Sequence, residues 1–445
     1  MSKAHDKRFD ATRPGQRFLR LAGMSAQLAG QIAKDRVKRA LGQQDPEADP
    51  RALYRDIGLK LATTLGEMKG AVMKVGQIAS QFKDILPDEV VSALESLQRS
   101  SPAMPYPRIA EQIRQELGQP PERLFAHFDK HPYAAASIGQ VHRARTHDGQ
   151  EVVVKVQHPG VDACIDSDLK HLRMALKLSG LLRIDKAVID RIFAEIKRSL
   201  EDELDYRKEA DNARLFAEFH RADDKILIPA VITELSSQRV LTLEHLAGDA
   251  MSEVCAPRYP QATIDAIGHR LFAALGAQIY ALGAVHCDPH AGNFAFRADG
   301  SVIIYDYGCV KKISPAVIDV MRQTARAALD QRYEHFDRIM IAMGVRNTRH
   351  TERIDSDFYA DWSRTIMLGF SATPHDFGQS NLHERIIAQA KRHWKYWPAF
   401  QPSADTLLVQ RTISGHYWNM RRMGVIAAFR PDLEASLQLT AEKPV

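Results

Sequence analysis

At 445 residues, with 45% hydrophobic and 26% charged content, the chain is long enough for two or three domains and apolar enough to give each a core, which excludes a disordered polypeptide. Its net charge of +5 reads as mild and dispersed, with no aromatic-basic patch, so no nucleic-acid partner is expected. Four cysteines without pattern suggest a reducing compartment, and eighteen histidines without ligand spacing predict no zinc site. No apolar run reaches the ~18 residues of a membrane span. Leu271–Val285 comes nearest and is broken by Gln278, the ending Leu437–Val445 is short and polar, and the basic start Met1–Arg8 lacks the apolar region of a signal peptide. A cytoplasmic protein is expected, peripheral at the inner face of a membrane if its amphipathic N-terminal stretch engages lipid.

That stretch opens a helical extension over residues 1–120, broken at Gln43–Pro50 and Ser101–Pro107. Phe18–Met24 and Ile32–Leu41 are basic and rich in small residues, suited equally to an anionic membrane surface or to packing on the body. Leu61, Leu65, Met68, Val72 and Val75 recur at helical spacing around Lys74-Val75-Gly76-Gln77. Residues 121–247 carry expected strands at Ser137–Ala144, Glu151–Gln157, Ile226–Leu235 and Gln238–Leu243. Between the second and third lies a long helical stretch, Lys186–His220, with Ile189, Ile192, Phe193, Ile196 and Leu200 on its apolar face. Glu244–Gly248, after the last of these strands, then reads as a hinge. Residues 248–445 are mainly helical, with helices near Ile264–Leu282, Pro315–Leu329 and Leu407–Met420, and a hairpin pairing Phe294–Phe296 with Val302–Ile304.

The chemistry concentrates around that hairpin. Residues 286–293 read His-Cys-Asp-Pro-His-Ala-Gly-Asn, and the strand Val302–Tyr305 delivers Asp306-Tyr307-Gly308. The spacing His-x-Asp-x-x-x-x-Asn followed by Asp-aromatic-Gly is similar to the catalytic and metal loops of protein-kinase-like phosphotransferases. Mg²⁺ favours oxygen ligands that leave room for phosphate, so Asn293 and Asp306 suit the metal, and Asp288 suits the attacking hydroxyl or water. Asp, Asn and Gly are also turn formers, and either loop alone is equally consistent with a plain hairpin. The two together, in order and preceded by a strand lysine, favour the site. Glu151–Val156 supplies Lys155, which interrupts an otherwise apolar strand as the phosphate-pairing lysine of kinases does. Where a kinase carries its glycine-rich loop, the chain has Ala134-Ala135-Ala136-Ser137-Ile138-Gly139, a stiffer cover that predicts altered phosphate handling. Glu203, three residues past Leu200, borders the face expected to pack on the lysine strand and is assigned as the partner of Lys155, with Glu209 and Glu195 as substitutes.

Lys74–Gln77, the alanine loop, Val154-Lys155, Glu203-Leu204-Asp205, Asp288–Asn293 and Asp306–Gly308, taken as an ordered set over about residues 15–420, resemble the UbiB (AarF-like) family of atypical kinases. The resemblance implies an α+β, bilobal protein-kinase-like fold with an N-terminal helical extension whose Lys-x-Gly-Gln motif covers the active site. Lys74 and Gln77 would then gate the pocket, and Asp205 would face the extension. It also implies ATP or ADP as ligand with Mg²⁺ or Mn²⁺, ATPase activity ahead of phosphorylation in trans, and support of ubiquinone (coenzyme Q) biosynthesis, with a quinone-precursor lipid, a membrane surface and quinone-biosynthesis proteins as partners. The alternative is a nucleotide-switched scaffold or lipid-extraction factor with little turnover. Tyr307 stands where ordinary kinases have phenylalanine and Ala291 where the family often has proline, and neither change removes a ligand.

Overall fold

The computed structural model describes residues 103–136, 138–162, 203–347, 354–400 and 406–440 continuously, and single positions within 23–34, 55–60 and 166–201. Lys74, Gln77, Glu195 and Ser137 lie outside the described residues, as does most of the expected helical extension. The chain divides into two units, Met1–Ala210 with Val231–His245, and Asp211–Ala230 with Leu246–Val445.

In the first unit, β-branched residues at alternate positions build a five-stranded antiparallel sheet. Its order is His127–Phe128, Gly139–Arg145, Glu151–Gln157 and Val240–Glu244, and Ala134–Ala135 pairs onto the second of these. The strand period of two sends Val152, Val154 and Val156 to one face, where all three are fully buried against Ile109 and Ile113 of the helix Tyr106–Leu117. Lys155 therefore takes the opposite face. Burying each valine is worth about 1.5–3 kcal/mol, and a one-residue slip would drive Lys155 into the core, so the register Lys155↔Val141 and Lys155↔Leu241 is strongly held.

In the second unit the hairpin forms at the expected residues, with Val302↔Phe296, Ile303↔Ala295 and Ile304↔Phe294 in register. Its outer strand takes a parallel partner, Ile226–Leu227, and its inner strand pairs with Asp249–Ala250. This corrects the expected strand Ile226–Leu235. Pro229 has no N–H to give a ladder, so the strand stops at Leu227 and joins the hairpin, and the chain passes into a 3₁₀ turn at Thr233–Leu235. Residues 211–230 accordingly belong with the second unit.

The helices of this unit follow the expected positions with two refinements. The helix Gln261–Ala277 continues as a π turn, Gln278–Leu282, which rotates Gln278 inward. The helix Leu407–Met423 runs three residues beyond its expected end, and Pro315–Leu329 begins on Ser314, whose hydroxyl accepts from the Val317 amide. Leu275, Ile279, Val285, Ile318, Val409 and Leu433 form the core these helices share. Among the described residues no helix is long and apolar enough to cross a membrane.

Candidate active site

Lys155 meets a carboxylate inside the first unit, and that carboxylate is Glu209. Its ammonium lies 2.8 Å from Oε1 and 2.9 Å from Oε2, with the lysine side chain 14% exposed and the glutamate 6%. The Lys155 ammonium also sits 5.0 Å above the ring of Tyr206. The assignment of Glu203 is corrected here, and the cause is a break in the expected continuous helix. Gln157, at the end of the lysine strand, donates to the Leu204 carbonyl at 2.7 Å, and Tyr206 donates its amide to Gln238 at 2.9 Å. These contacts hold a turn at Leu204–Asp205, after which a new helix, Tyr206–Phe219, starts. Asp205 caps it, its Oδ1 accepting from the Arg207 amide at 3.1 Å. The restart shifts the helical phase, so the residue aimed at the lysine is the one four positions into the new helix.

The alanine segment is a short exposed hairpin arm. Ala134 pairs with Val141 and Ala135 with Gln140, and the Ala136 amide donates to the Gly139 carbonyl at 3.0 Å. Gly139 itself answers a packing demand, because a Cβ there would lie 2.3 Å from the Val156 carbonyl oxygen. Close strand pairing thus explains the glycine without appeal to phosphate. Glu244 ends the last strand opposite Val152, and the next amide, of His245, donates to Glu151.

In the second unit the catalytic-type and metal-type loops leave one two-stranded ladder. Ala284–His286 pairs with Val310–Lys312, and the Cys287 amide donates to the Cys309 carbonyl at 2.8 Å. The ladder brings the loop after His286 beside the loop before Val310. Asn293 donates its amide nitrogen to the Asp288 carbonyl at 3.3 Å, which leaves the amide oxygen as its acceptor, and the Tyr305 amide closes onto the Asn293 carbonyl at 3.0 Å. The Asp306 carboxylate accepts from the Gly308 amide at 2.9 Å, while the buried His286 ring donates Nε2–H to the Asp306 carbonyl. Tyr307 is fully buried between Phe216 and His286, with ring centroids 5.0 and 5.2 Å away, and Asn212 donates to its carbonyl. Burial holds its phenol pKa well above the usual range.

Two carboxylates and one amide oxygen on adjacent loops fit a hard divalent cation that completes its shell with phosphate and water. Among the described residues there is no cluster of three His, Cys, Asp or Glu side chains arranged to hold a metal by themselves. Asp288, Asn293 and Asp306 are all half-buried, so each retains access to solvent.

The helix Leu407–Met423 braces the first loop, a role its sequence did not announce. Gly415 permits the contact, since a Cβ there would fall 2.1 Å from Cγ of Pro289, and Asn419 donates to the Pro289 carbonyl at 2.9 Å. One turn away His416 meets Phe294 edge-on. Behind the loops, Gln278 from the π turn donates to His220 and accepts from the His286 amide. A cavity of about 10 Å³, roughly one water in size, lies among Leu271, Gln278, His286, Phe294, Ile304 and His416. Burial lowers the pKa of His220 and of His416 to about 4, so these two rings are neutral near pH 7, and burial also pushes the pKa of His286 downward. Apolar periodicity marks the bracing helix only as amphipathic, and nothing in the spacing of Gly415 and Asn419 singles them out.

A family description, ABC1 atypical kinase-like domain, matches residues 96–340. The mitochondrial atypical kinase COQ8 of Schizosaccharomyces pombe is 28% identical over 421 residues, which cover 92% of this chain and 68% of that protein. The chloroplastic protein ACTIVITY OF BC1 COMPLEX KINASE 8 of Arabidopsis thaliana is 35% identical over 279 residues, covering 61% and 36%. AarF domain-containing protein kinase 1 of Xenopus laevis is 32% identical over 250 residues, covering 54% and 47%. The matches thus span from 36% to 68% of these curated relatives' own lengths. Among solved structures, Rv3197 of Mycobacterium tuberculosis, in its complex with erythromycin, superposes with a TM-score of 0.62 at 28% identity, covering 92% of this chain and all of that one. The fold is therefore of the α+β protein-kinase-like class, and with a family match across more than half its length the chain belongs to the ABC1 atypical kinase-like family, the COQ8/UbiB group its ordered motifs resemble.

Proposed function

We propose that the chain is an atypical kinase or ATPase that uses Mg-ATP in support of ubiquinone biosynthesis. The observation that carries the nucleotide chemistry is the shared ladder from which Asp288, Asn293 and Asp306 project on neighbouring loops, with the Asn293 nitrogen already engaged and its oxygen available. Asn293 and Asp306 would hold Mg²⁺, which when bound neutralises phosphate charge. Asp288 orients the attacking hydroxyl or water and accepts its proton. Lys155 would pair the phosphates, and Glu209 in place of Glu203 holds the ammonium in place. Ala134–Ser137 would cover the phosphates, the backbone following Glu244 would meet adenine, and Lys74 and Gln77 would gate entry.

The quinone assignment rests on kinship with COQ8. It is tested in cells of the source organism carrying Asp306→Asn at the native locus. Ubiquinone content is expected to fall several-fold while an early ring precursor accumulates, as read by mass spectrometry of lipid extracts. Unchanged quinone content would remove the pathway assignment and leave the nucleotide chemistry standing.

A further inference from the structure

The second unit carries an exposed aromatic and basic face that the nucleotide chemistry does not use. The helix Leu382–Arg392 buries Leu382 and Gln389 and turns His383, Ile387 and Lys391 outward at helical spacing, with Trp394 continuing the stripe just past its end. At one end of the stripe the His383 ring lies 4.9 Å from that of Trp418, over which Arg421 places its guanidinium at 5.7 Å. At the other end Trp397 is held in place by its indole N–H, which donates to the Ala390 carbonyl at 3.2 Å. Trp394 is 72% exposed, Trp397 57%, Ile387 54% and Trp418 49%. A folded protein rarely leaves so much aromatic area in water without a use for it.

Three of the chain's four tryptophans lie here. The same two segments are locally basic. Residues 381–400 and 406–424 hold seven lysines and arginines against a single carboxylate, Glu384, in a chain whose whole net charge is +5. This corrects the expectation that no aromatic-basic patch exists, because the two segments are separate in sequence and are brought together where His383 meets Tyr417, Trp418 and Arg421.

We infer that this face docks on an anionic lipid bilayer, with Trp394, Trp397 and Trp418 at headgroup depth, Ile387 reaching the acyl boundary, and Lys391, Lys395 and Arg422 against lipid phosphate, while Arg392 pairs with Asp361 at 3.9 Å. Indole rings with one polar edge favour the headgroup layer, and interleaved cations are drawn to its negative potential. An exposed isoleucine in the middle of the stripe favours lipid over nucleic acid, which would be met by rings and cations alone. This inference does not depend on nucleotide use.

The test is tryptophan quenching by doxyl-labelled lipids with the full chain. Every tryptophan follows residue 361, so the signal reports on this region whatever residues 1–102 do on a membrane. Vesicles containing phosphatidylglycerol should quench the wild-type emission, most strongly with a label near the headgroups, and phosphatidylcholine vesicles should not. A Trp394→Ala and Ile387→Asp variant, and separately a Lys391→Glu and Lys395→Glu variant, should each lower the vesicle partition at least about tenfold with unchanged thermal melting. Binding without quenching, or unaltered partition in the charge-reversal variant, would overturn the proposal. So would quenching by neither vesicle together with charge-dependent retention on DNA, which would give the face to nucleic acid.

Discussion

Asp306→Asn is expected to lower Mg²⁺-dependent ATP hydrolysis at least about 100-fold and to leave the melting temperature close to wild type. The two side chains are nearly isosteric, and the amide oxygen can still accept from the Gly308 amide, so the turn that presents residue 306 survives. The His286 bond to the Asp306 carbonyl and the packing of Tyr307 involve the backbone and the neighbouring ring, and neither changes. What the substitution removes is one negative charge at the position proposed for the metal. A neutral amide binds a hard divalent cation far more weakly than a carboxylate does, and the loss should appear as a raised Mg²⁺ requirement before it appears anywhere else. Steady-state hydrolysis measured across Mg²⁺ concentrations reads both quantities. Turnover within a few-fold of wild type at every Mg²⁺ concentration would remove Asp306 from the metal site.

Glu209→Ala is expected to destabilise the chain by about 3–5 kcal/mol, whereas Glu203→Ala should cost at most about 1 kcal/mol. The contrast follows from burial. Glu209 is almost wholly enclosed and both its carboxylate oxygens accept from a largely sheltered ammonium, so its removal takes away the negative charge that offsets Lys155 where water solvates it poorly. Glu203 is half-buried, ahead of the turn that restarts the helix. Urea denaturation measures the stability of each variant, and the KM for ATP should rise more for Glu209→Gln than for Glu203→Gln, because Glu209 supplies the carboxylate paired with Lys155 at 2.8 Å. A larger loss in either quantity at Glu203 would reinstate the assignment drawn from helical spacing.

That misplacement shows where sequence patterning reaches its limit. The lysine strand, the hairpin and the two loops were legible because each depends on local alternation, turn chemistry and a short spacing, and all of them form at the expected residues. The partner of Lys155 depends instead on the phase of a helix that is reset at Leu204–Asp205 by contacts from Gln157 and Gln238, residues distant in sequence. Extrapolating one apolar face through that turn rotates every later side chain. The strand expected over Ile226–Leu235 failed for a related reason. Its residues are apolar enough, yet Pro229 ends the ladder, and the parallel partner at Val302–Ile303 lies some seventy residues away and gives no local signal.

The brace on the first loop was less visible still. Gly415 and Asn419 sit on a helix whose composition asks only for burial, and their importance comes from the approach of Pro289, a purely tertiary event. The aromatic-basic face likewise joins two segments that look unremarkable separately. Lys74 and Gln77, which the family resemblance casts as gating residues, lie outside the described residues and stand as proposals.

Binding and turnover of Mg-ATP underlie every role proposed for these residues. Titration of the purified full chain with ATP in the presence and absence of Mg²⁺, with product formation followed in the same samples, tests both most directly. Saturable binding at one site per chain that requires Mg²⁺, accompanied by slow release of ADP and phosphate, is the expected result. Saturable binding with no product would favour a nucleotide-switched scaffold, and no saturable binding under either condition would contradict the nucleotide site itself.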